Sequence, residues 1–406
     1  MMIGESMKKQ SNFLNYFLAI LLTITITLTA VAGILTYAVR KYGLFMPVDT
    51  SSGKLNAINA MIQERYIGDA DQTAMEDAAA KAMVAATGDR WSHYFTASEY
   101  QSYLEQAQNA YVGVGITIQI EEGIAGLQIM SVVEGGPAEA AGVLAGDVLI
   151  AIDKTDCTSM NLDDAKNLVR GEEGTTVTLT VLRDGKELEL PVARKRFETP
   201  VATAKLLSSG YGLITIENFE ERCAEQTIAA VKDMIAQGAK GLIFDVRFNP
   251  GGYQTELVKV LDYLLPEGIL FQTEDYTGKK DVDYSDAAHI DLPMAVLVNE
   301  DSYSAAEFFA AALQEYEAGV IVGTKTFGKG YFQTTYPMTD GSALMLSIGK
   351  YYTPKGRNLA DVGVTPDVAV AVEDETLAAI YYGTMDSEAD PQILAAVDAL
   401  NSGNQS

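Results

Sequence analysis

Histidine, cysteine and tryptophan are scarce in this chain of 406 residues, which has two histidines, two cysteines and one tryptophan. No site with three histidine ligands can be built from this set, and Cys157 and Cys223 lack the close spacing typical of metal ligands. The sequence therefore predicts no metal site. A catalytic triad that depends on histidine would have to use His93 or His289.

Positive charge is also scarce, because 29 lysines and arginines stand against 55 aspartates and glutamates, giving a formal net charge of -26. A surface this acidic repels the phosphate backbone of nucleic acids, so we expect no nucleic-acid partner. Solubility is the simpler interpretation of the acidic surface, and attraction of basic substrates is the alternative.

A long hydrophobic stretch without charge occupies residues 10–39. About 20 apolar residues are enough for a helix to cross a bilayer, so residues 1–41 are predicted to form a short tail and a single membrane-spanning helix. A cleaved signal peptide is the alternative, with small residues at 30–32, although the apolar run exceeds the usual length of its core. Basic residues flank both ends, so the charge rule leaves the orientation open.

Periodicity divides the remaining chain into four parts. Residues 42–108 are predicted to be helical, and this region is also a candidate surface for pairing with a second copy of the chain. Residues 109–196 contain five short runs with strand character and two short helices, which is typical of a compact β module. In residues 197–372, apolar runs alternate with helical stretches, which predicts an α/β layer with parallel strands. Residues 373–406 are predicted to form a helical C-terminal segment.

A glycine-containing turn precedes the first strand of the β module. Glycines there leave backbone amides free to face an anion such as the terminal carboxylate of a peptide, which can then add as a strand at the sheet edge. This turn and residues 134–149 together resemble the two signatures of PDZ domains. The resemblance implies a groove for substrate C-termini, with an arginine at the end of its helix that could contact the neighbouring core. The predicted peptide-binding residues are Gly113, Val114, Gly115, Ile116 and Arg170.

Ser304 lies between an apolar run and a helical stretch. A corner between a strand and a helix exposes a side chain near free helix amides, which suits a nucleophile. The spacing to Glu307 fits a helix-capping box equally well. Lys329 follows the next predicted strand and stands between two glycines. Burial would lower its pKa and make the neutral amine available as a base, with Gln333 to orient it, whereas a solvated lysine in a surface turn is the alternative.

These motifs resemble the C-terminal processing peptidases, the tail-specific serine proteases of family S41. Residues 299–307 match the nucleophile segment of that family, residues 328–333 match its Gly-Lys-Gly-x-x-Gln segment, and residues 245–252 match a third segment. The chain departs from the nucleophile segment at Asp301, Tyr303 and Ala306, and Tyr303 is expected to narrow the site.

The resemblance assigns a role to each candidate residue. Ser304 is the implied nucleophile, Lys329 the general base and Gln333 the residue that orients the base. The implied oxyanion hole is formed by backbone N–H groups of Gly251, Gly252 and Ala305.

The resemblance also implies a crotonase-like or ClpP-like protease core with a mixed sheet, no cofactor, and substrates that carry free C-termini. It further implies a single-pass protein of the cell membrane whose catalytic part is extracytoplasmic. We therefore expect a membrane-anchored serine endopeptidase. The alternatives are a catalytically silent or activator-gated PDZ receptor for protein tails, and an acyl-transfer enzyme acting on small molecules.

Overall fold

A computed structural model describes residues 17–18, 20–35, 37, 51–121 and 123–403, and the chain forms two compact units, Met1–Ala79 and Ala80–Ser406. The other residues of the predicted tail and anchor lie outside the described ranges. Residues 20–35 are helical and exposed. None of the helices in the described ranges combines the length and the apolar character needed to cross a membrane.

Ten helices follow residue 50 in the described part of the chain. They are α1 (Ser51–Arg65), α2 (Gln72–Ala85), α3 (Ala97–Ala107), α4 (Pro137–Ala140), α5 (Leu162–Val169), α6 (Cys223–Ala236), α7 (Gln254–Leu264), α8 (Ala305–Glu315), α9 (Asp374–Tyr381) and α10 (Pro391–Gly403). Helix α3 begins with a capping box, in which Thr96 Oγ1 accepts from the Glu99 N–H and the Glu99 carboxylate accepts from the Thr96 N–H.

Nineteen strands are present in the same ranges. They are β1 (His93–Phe95), β2 (Ala110–Gly113), β3 (Ile116–Gln119), β4 (Leu127–Val132), β5 (Val148–Ile152), β6 (Thr155–Asp156), β7 (Thr176–Arg183), β8 (Lys186–Ala193), β9 (Lys195–Glu198), β10 (Ala202–Leu206), β11 (Gly212–Ile216), β12 (Leu242–Asp245), β13 (Gly268–Asp275), β14 (Lys280–Ser285), β15 (Met294–Val298), β16 (Gly319–Gly323), β17 (Tyr331–Pro337), β18 (Ala343–Tyr352) and β19 (Val368–Ala369).

The β module is an antiparallel sheet with the strand order β3-β4-β5-β7-β8, and β6 pairs with β5. Its core contains Ile129, Leu149 and Leu179 together with Ala165 of α5. Strand β3 stands at the edge of the sheet, as the strand-addition hypothesis requires. The ladder between β2 and β9 closes the module at its two chain ends.

Residues 197–372 are built on a six-stranded sheet of order β10-β11-β12-β15-β16-β19, which is parallel from β11 to β19. Every residue of β12 and β15 is buried. Both faces of these strands are covered. Val296 packs in the hydrophobic core that includes α8, whereas its neighbour Ala295 packs in a separate cluster that includes α10. Such doubly covered strands appear in the sequence as continuous apolar runs, so the prediction of parallel strands agrees with the structure.

A second sheet of order β1-β18-β13-β14, with β17 paired to β18, carries part of the site wall. Strand β1 belongs to this sheet because His93, Tyr94 and Phe95 pair with β18. The sequence analysis had placed these residues in the helical region 42–108, so that assignment is wrong for β1. A three-residue strand is too short to show periodicity, and its partner lies about 250 positions away.

A buried ion cluster ties the C-terminal helix to the loop that follows β12. Arg247 contacts Asp245 at 2.5 Å and Asp390 at 2.8 Å, and it donates to Gln392 Oε1 at 2.8 Å. Asp390 also accepts from the Gln392 N–H at the first turn of α10. The arginine therefore fixes the start of α10 against the loop that leads to Gly251.

Replacing Arg247 with alanine should lower the free energy of unfolding by about 3–5 kcal/mol, because two buried carboxylates lose their partner. The matched control is Lys279→Ala, which removes an exposed ion pair with Asp281 and should leave the denaturation midpoint unchanged. Urea denaturation followed by fluorescence of the one tryptophan, Trp91, measures both. Equal midpoints for the two variants would contradict the structural role of the cluster.

Candidate active site

Three neighbouring parallel strands deliver the candidate residues to one edge of the sheet. Strands β12, β15 and β16 are adjacent and parallel, so their carboxyl ends point the same way. The loop after β12 contains Gly251 and Gly252, the loop after β15 contains Ser304, and the loop after β16 contains Lys329. This is the edge at which open α/β sheets place their ligand sites.

Ser304 occupies a strained corner directly before α8. Its φ of 59° and ψ of -120° lie outside the regions that residues with a side chain ordinarily adopt. Hydrogen bonds to the loop after β12 fix the two residues Ser302 and Tyr303, which precede this corner. Ser302 Oγ donates to Val246 O at 2.7 Å, and the Tyr303 N–H donates to Asn249 O at 3.2 Å. The strain at Ser304 is therefore imposed by the surrounding contacts.

Asn249 organises the glycines that face Ser304. Its buried side chain donates to Ile216 O at 2.7 Å and accepts from the Gly251 N–H at 2.8 Å. The Gly251 N–H, a predicted oxyanion donor, is thus occupied, which leaves Gly252 and Ala305 as the predicted donors. The absence of a side chain at Gly251 instead allows its backbone to lie close to Ser304, because a Cβ atom at Gly251 would be only 2.7 Å from Ser304 Cβ.

Glu307 joins the nucleophile corner to the lysine loop. Its fully buried carboxylate accepts from the Ser304 N–H at 3.1 Å, the Lys329 N–H at 2.9 Å, the Gly328 N–H at 2.5 Å and Thr326 Oγ1 at 2.6 Å. Burial raises the pKa of Glu307, and these hydrogen bonds act in the opposite direction. Since every contact comes from a donor, the ionised form matches the geometry. The sequence analysis had treated this residue only as part of a capping box.

The side chain of Lys329 is largely shielded from solvent. Its Nζ atom lies 4.5 Å from the ring centroid of Trp91, whose other neighbours include Phe327 at 5.5 Å. Burial lowers the pKa of Lys329 to about 8, while the charges of Glu307 and Asp89 act in the opposite direction. A lysine in this state has a substantial neutral fraction near neutral to mildly basic pH, as a general base requires. The alternative of a solvated surface lysine does not fit this environment.

Tyr351 and Gln333 complete the contacts around the two candidate catalytic residues. The Tyr351 hydroxyl donates to Lys329 O. Burial raises the pKa of Tyr351 well above its usual value, and a hydrogen bond with the Ser304 side chain opposes that shift. Gln333 donates through Nε2 to Tyr331 O at 3.2 Å and to Ser347 Oγ at 3.0 Å. Both donations fix the orientation of the carboxamide.

One cleft of about 590 Å³ gathers most of the predicted site. Of the predicted catalytic and oxyanion residues, five line it: Gly252, Ser304, Ala305, Lys329 and Gln333. His289 is exposed in the segment after β14, and its ring contacts the carbonyl of Ala287. Among the described residues nothing brings this histidine to Ser304, whereas Lys329 lines the same cleft as Ser304.

The predicted peptide-binding residues are spread over two elements and a turn. Gly113 ends β2, Gly115 has a φ of 78°, and Ile116 begins the edge strand β3. The side chain of Val114 is buried in the core of the module. Arg170 is the exposed residue that follows the last residue of α5, and its contact with the core stays a prediction.

A different arginine fixes the end of α5. Arg194 is buried, and its guanidinium donates to Val169 O at 2.8 Å and to Leu168 O at 3.0 Å. These two carbonyls belong to the last turn of the helix, where a cation is favoured. The sequence analysis missed this residue, as it missed Trp91 and Tyr351, because their roles depend on neighbours that are distant in the sequence.

Comparison with known proteins identifies two regions of the chain. The model of peptidase family S41 matches residues 210–370, and a PDZ domain model matches residues 128–183. Carboxy-terminal processing protease CtpA of Bacillus subtilis (strain 168) is 31% identical over 329 residues, covering 80% of this chain and 70% of that protein. Carboxyl-terminal-processing protease of Synechocystis sp. is 30% identical over 356 residues, covering 84% and 81%.

A solved structure from Bacteroides fragilis NCTC 9343, described as an S41 protease, has a TM-score of 0.56 and 18% identity, and the match covers 86% of this chain and 97% of that chain. This likeness concerns the fold. The sequence relatives establish more: the chain belongs to the carboxy-terminal processing proteases of peptidase family S41, which are serine-type peptidases, and it carries a PDZ domain. The predicted family and class of enzyme are confirmed.

Replacing Gly251 with alanine should abolish the reaction of Ser304 with a fluorophosphonate probe, because the new methyl group collides with Ser304 and with the Ala305 N–H. Gly238→Ala is the matched control. Gly238 has a similar positive φ of 82°, but nothing lies within 4 Å of its added Cβ, so only the backbone strain of about 1–2 kcal/mol remains. Labelling of Gly251→Ala at the wild-type rate would contradict the close approach.

The rate of Ser304 labelling should rise with pH through about 8, because the neutral fraction of Lys329 rises through its lowered pKa. Trp91→Ala should admit water to the amine and move this midpoint upward by roughly one unit, towards the ordinary lysine pKa. Trp91→Phe keeps an apolar ring over the amine and should move it less. An unchanged midpoint in Trp91→Ala would show that the tryptophan does not tune the base.

Proposed function

We propose that this chain is a membrane-anchored endopeptidase that cleaves protein substrates held by their C-termini in the PDZ domain. The observation that carries the proposal is the strained Ser304 in one cleft with a partly buried Lys329 of lowered pKa. The charge-free stretch at residues 10–39 supports the membrane anchor. With the N-terminal tail on the cytoplasmic side, the catalytic part lies on the extracytoplasmic side.

The chemistry follows from the residues that line the cleft. Neutral Lys329 accepts the proton of Ser304 Oγ as that oxygen attacks the substrate carbonyl. The N–H groups of Gly252 and Ala305 stabilise the resulting oxyanion. The lysine then protonates the leaving amine, and the same base activates the water that hydrolyses the acyl-enzyme. Gln333, whose Nε2 is already engaged, would accept from the lysine through Oε1.

The PDZ domain supplies the second half of the proposal. A substrate tail adds beside the edge strand β3, and its carboxylate lies at the turn formed by Gly113, Val114, Gly115 and Ile116. Tail capture raises the local concentration of the chain near the cleft. An activator-gated receptor is the second candidate, because the Lys329 amine lies against Trp91 and makes no hydrogen bond with the described residues.

Wild-type chain should cleave an unstructured protein with an apolar, free C-terminus, whereas Ser304→Ala and Lys329→Ala should lower kcat by about 10³-fold or more. The same substrate with an amidated C-terminus should be cleaved more slowly through a raised KM, since the carboxylate contact is lost. Mass spectrometry of the products measures both effects. Cleavage by Ser304→Ala would contradict the proposed Ser304–Lys329 dyad. Labelling of Ser304 by the probe without any cleavage would favour the gated receptor.

A further inference from the structure

A carboxylate without a partner lies in the cleft that contains Ser304. Glu220 lines this cleft, and its Oε2 atom is buried and makes no hydrogen bond with the described residues. Other buried carboxylates of the core are paired, since Glu307 accepts four hydrogen bonds and Asp245 and Asp390 contact Arg247. Leaving a buried carboxylate oxygen unpaired costs folding free energy. Glu220 as a whole is only partly buried, so a substrate in the cleft can donate to the part of the side chain that remains accessible.

The backbone of Glu220 is held close to the nucleophile. The N–H of the preceding Phe219 donates to Gly251 O at 2.7 Å. A Cβ atom built on Gly252 would lie 2.7 Å from Glu220 N, and one built on Gly251 would lie 2.7 Å from Ser304 Cβ. Only the segment 251–252 therefore separates the backbone of Glu220 from the nucleophile. Glu220 and Ser304 both line the same cleft, so a polypeptide bound at Ser304 occupies the cleft that contains Glu220.

Three tyrosines share the cleft with Glu220. Tyr100, Tyr103 and Tyr253 all line it, and the first two are stacked with a centroid distance of 6.2 Å. Burial and then the charge of Glu220 raise the pKa of Tyr253 to about 12, and the same two causes raise that of Tyr103. Burial, with a contribution from Glu221, raises the pKa of Glu220 itself to about 7. Aromatic rings and a carboxylate in one cleft form an environment that favours a cation.

The geometry points to a subsite for a lysine or arginine side chain of the substrate, with Glu220 as its counterion and Tyr103 and Tyr253 beside its aliphatic stem. The inference rests on the proposed peptidase function and adds a substrate class to it. A cationic side chain donates to the carboxylate, and charge-assisted hydrogen bonds are stronger than neutral ones. The net charge of -26 attracts the same class of substrate at longer range.

The test uses the full chain and peptides that are identical except for one residue, lysine or norleucine, placed at successive positions. At about pH 8, a carboxyl group with a pKa of about 7 is mostly ionised. Lysine at one position should raise kcat/KM by about tenfold or more over norleucine, the expected size of a charge-assisted contact. Glu220→Gln should abolish this preference and leave cleavage of the norleucine peptide nearly unchanged.

Glu221→Gln is the matched control, because it makes the same change of charge one residue away and faces a different surface groove. It should keep the preference for lysine. Equal rates for both peptides in the wild type, or equal losses for both in Glu220→Gln, would overturn the subsite. Calorimetry of the same peptides binding to Ser304→Ala repeats the comparison without turnover. A wild-type chain that cleaves nothing therefore counts against the peptidase proposal, while equal affinities of the two peptides count against the subsite.

Discussion

The buried carboxylate of Glu307 is the contact on which the candidate site depends. It accepts hydrogen bonds from the backbone of Ser304 at the start of α8 and from the backbone of Lys329 in the loop after β16. It also accepts from the Thr326 hydroxyl, whose oxygen in turn accepts from the Val364 N–H. One side chain thereby fixes the position of the loop after β15 relative to the loop after β16. Without it, several buried donors would be left unpaired.

The same carboxylate sets an electrostatic balance at Lys329. Burial, to which the Trp91 ring contributes, favours the neutral amine, whereas the charges of Glu307 and Asp89 favour the ammonium ion. Burial is the larger effect, and the pKa therefore falls only to about 8. A pKa of about 8 would suit a group that accepts and returns a proton at mildly basic pH. Asp89 and Trp91 belong to one short segment before β1, so a part of the chain outside the parallel sheet influences the pKa of Lys329.

Most of the architecture could be predicted from the local pattern of apolar residues in the sequence. Alternating and continuous apolar runs predicted the strands of the β module and of the parallel sheet, because burial on one face or on both leaves a direct trace in the pattern. Elements without such a trace were missed, among them β1 and β9, which are short and exist through distant partners. Gly251 was assigned an oxyanion role by resemblance, and the side chain of Asn249 occupies that N–H in the folded chain.

What the sequence determined by itself was the set of chemical groups: Ser304, Lys329 and Gln333 in family order, the two glycines after β12, and a PDZ module before the core. What only the tertiary structure decided was their environment. Each feature of that environment requires residues far apart in the chain to meet. These features are the strain at Ser304, the shielding of Lys329 by Trp91, the hydrogen bonds of Glu307 and the unpaired carboxylate oxygen of Glu220. Burial and hydrogen bonding belong to the packed chain, and a pattern of residue types does not specify them.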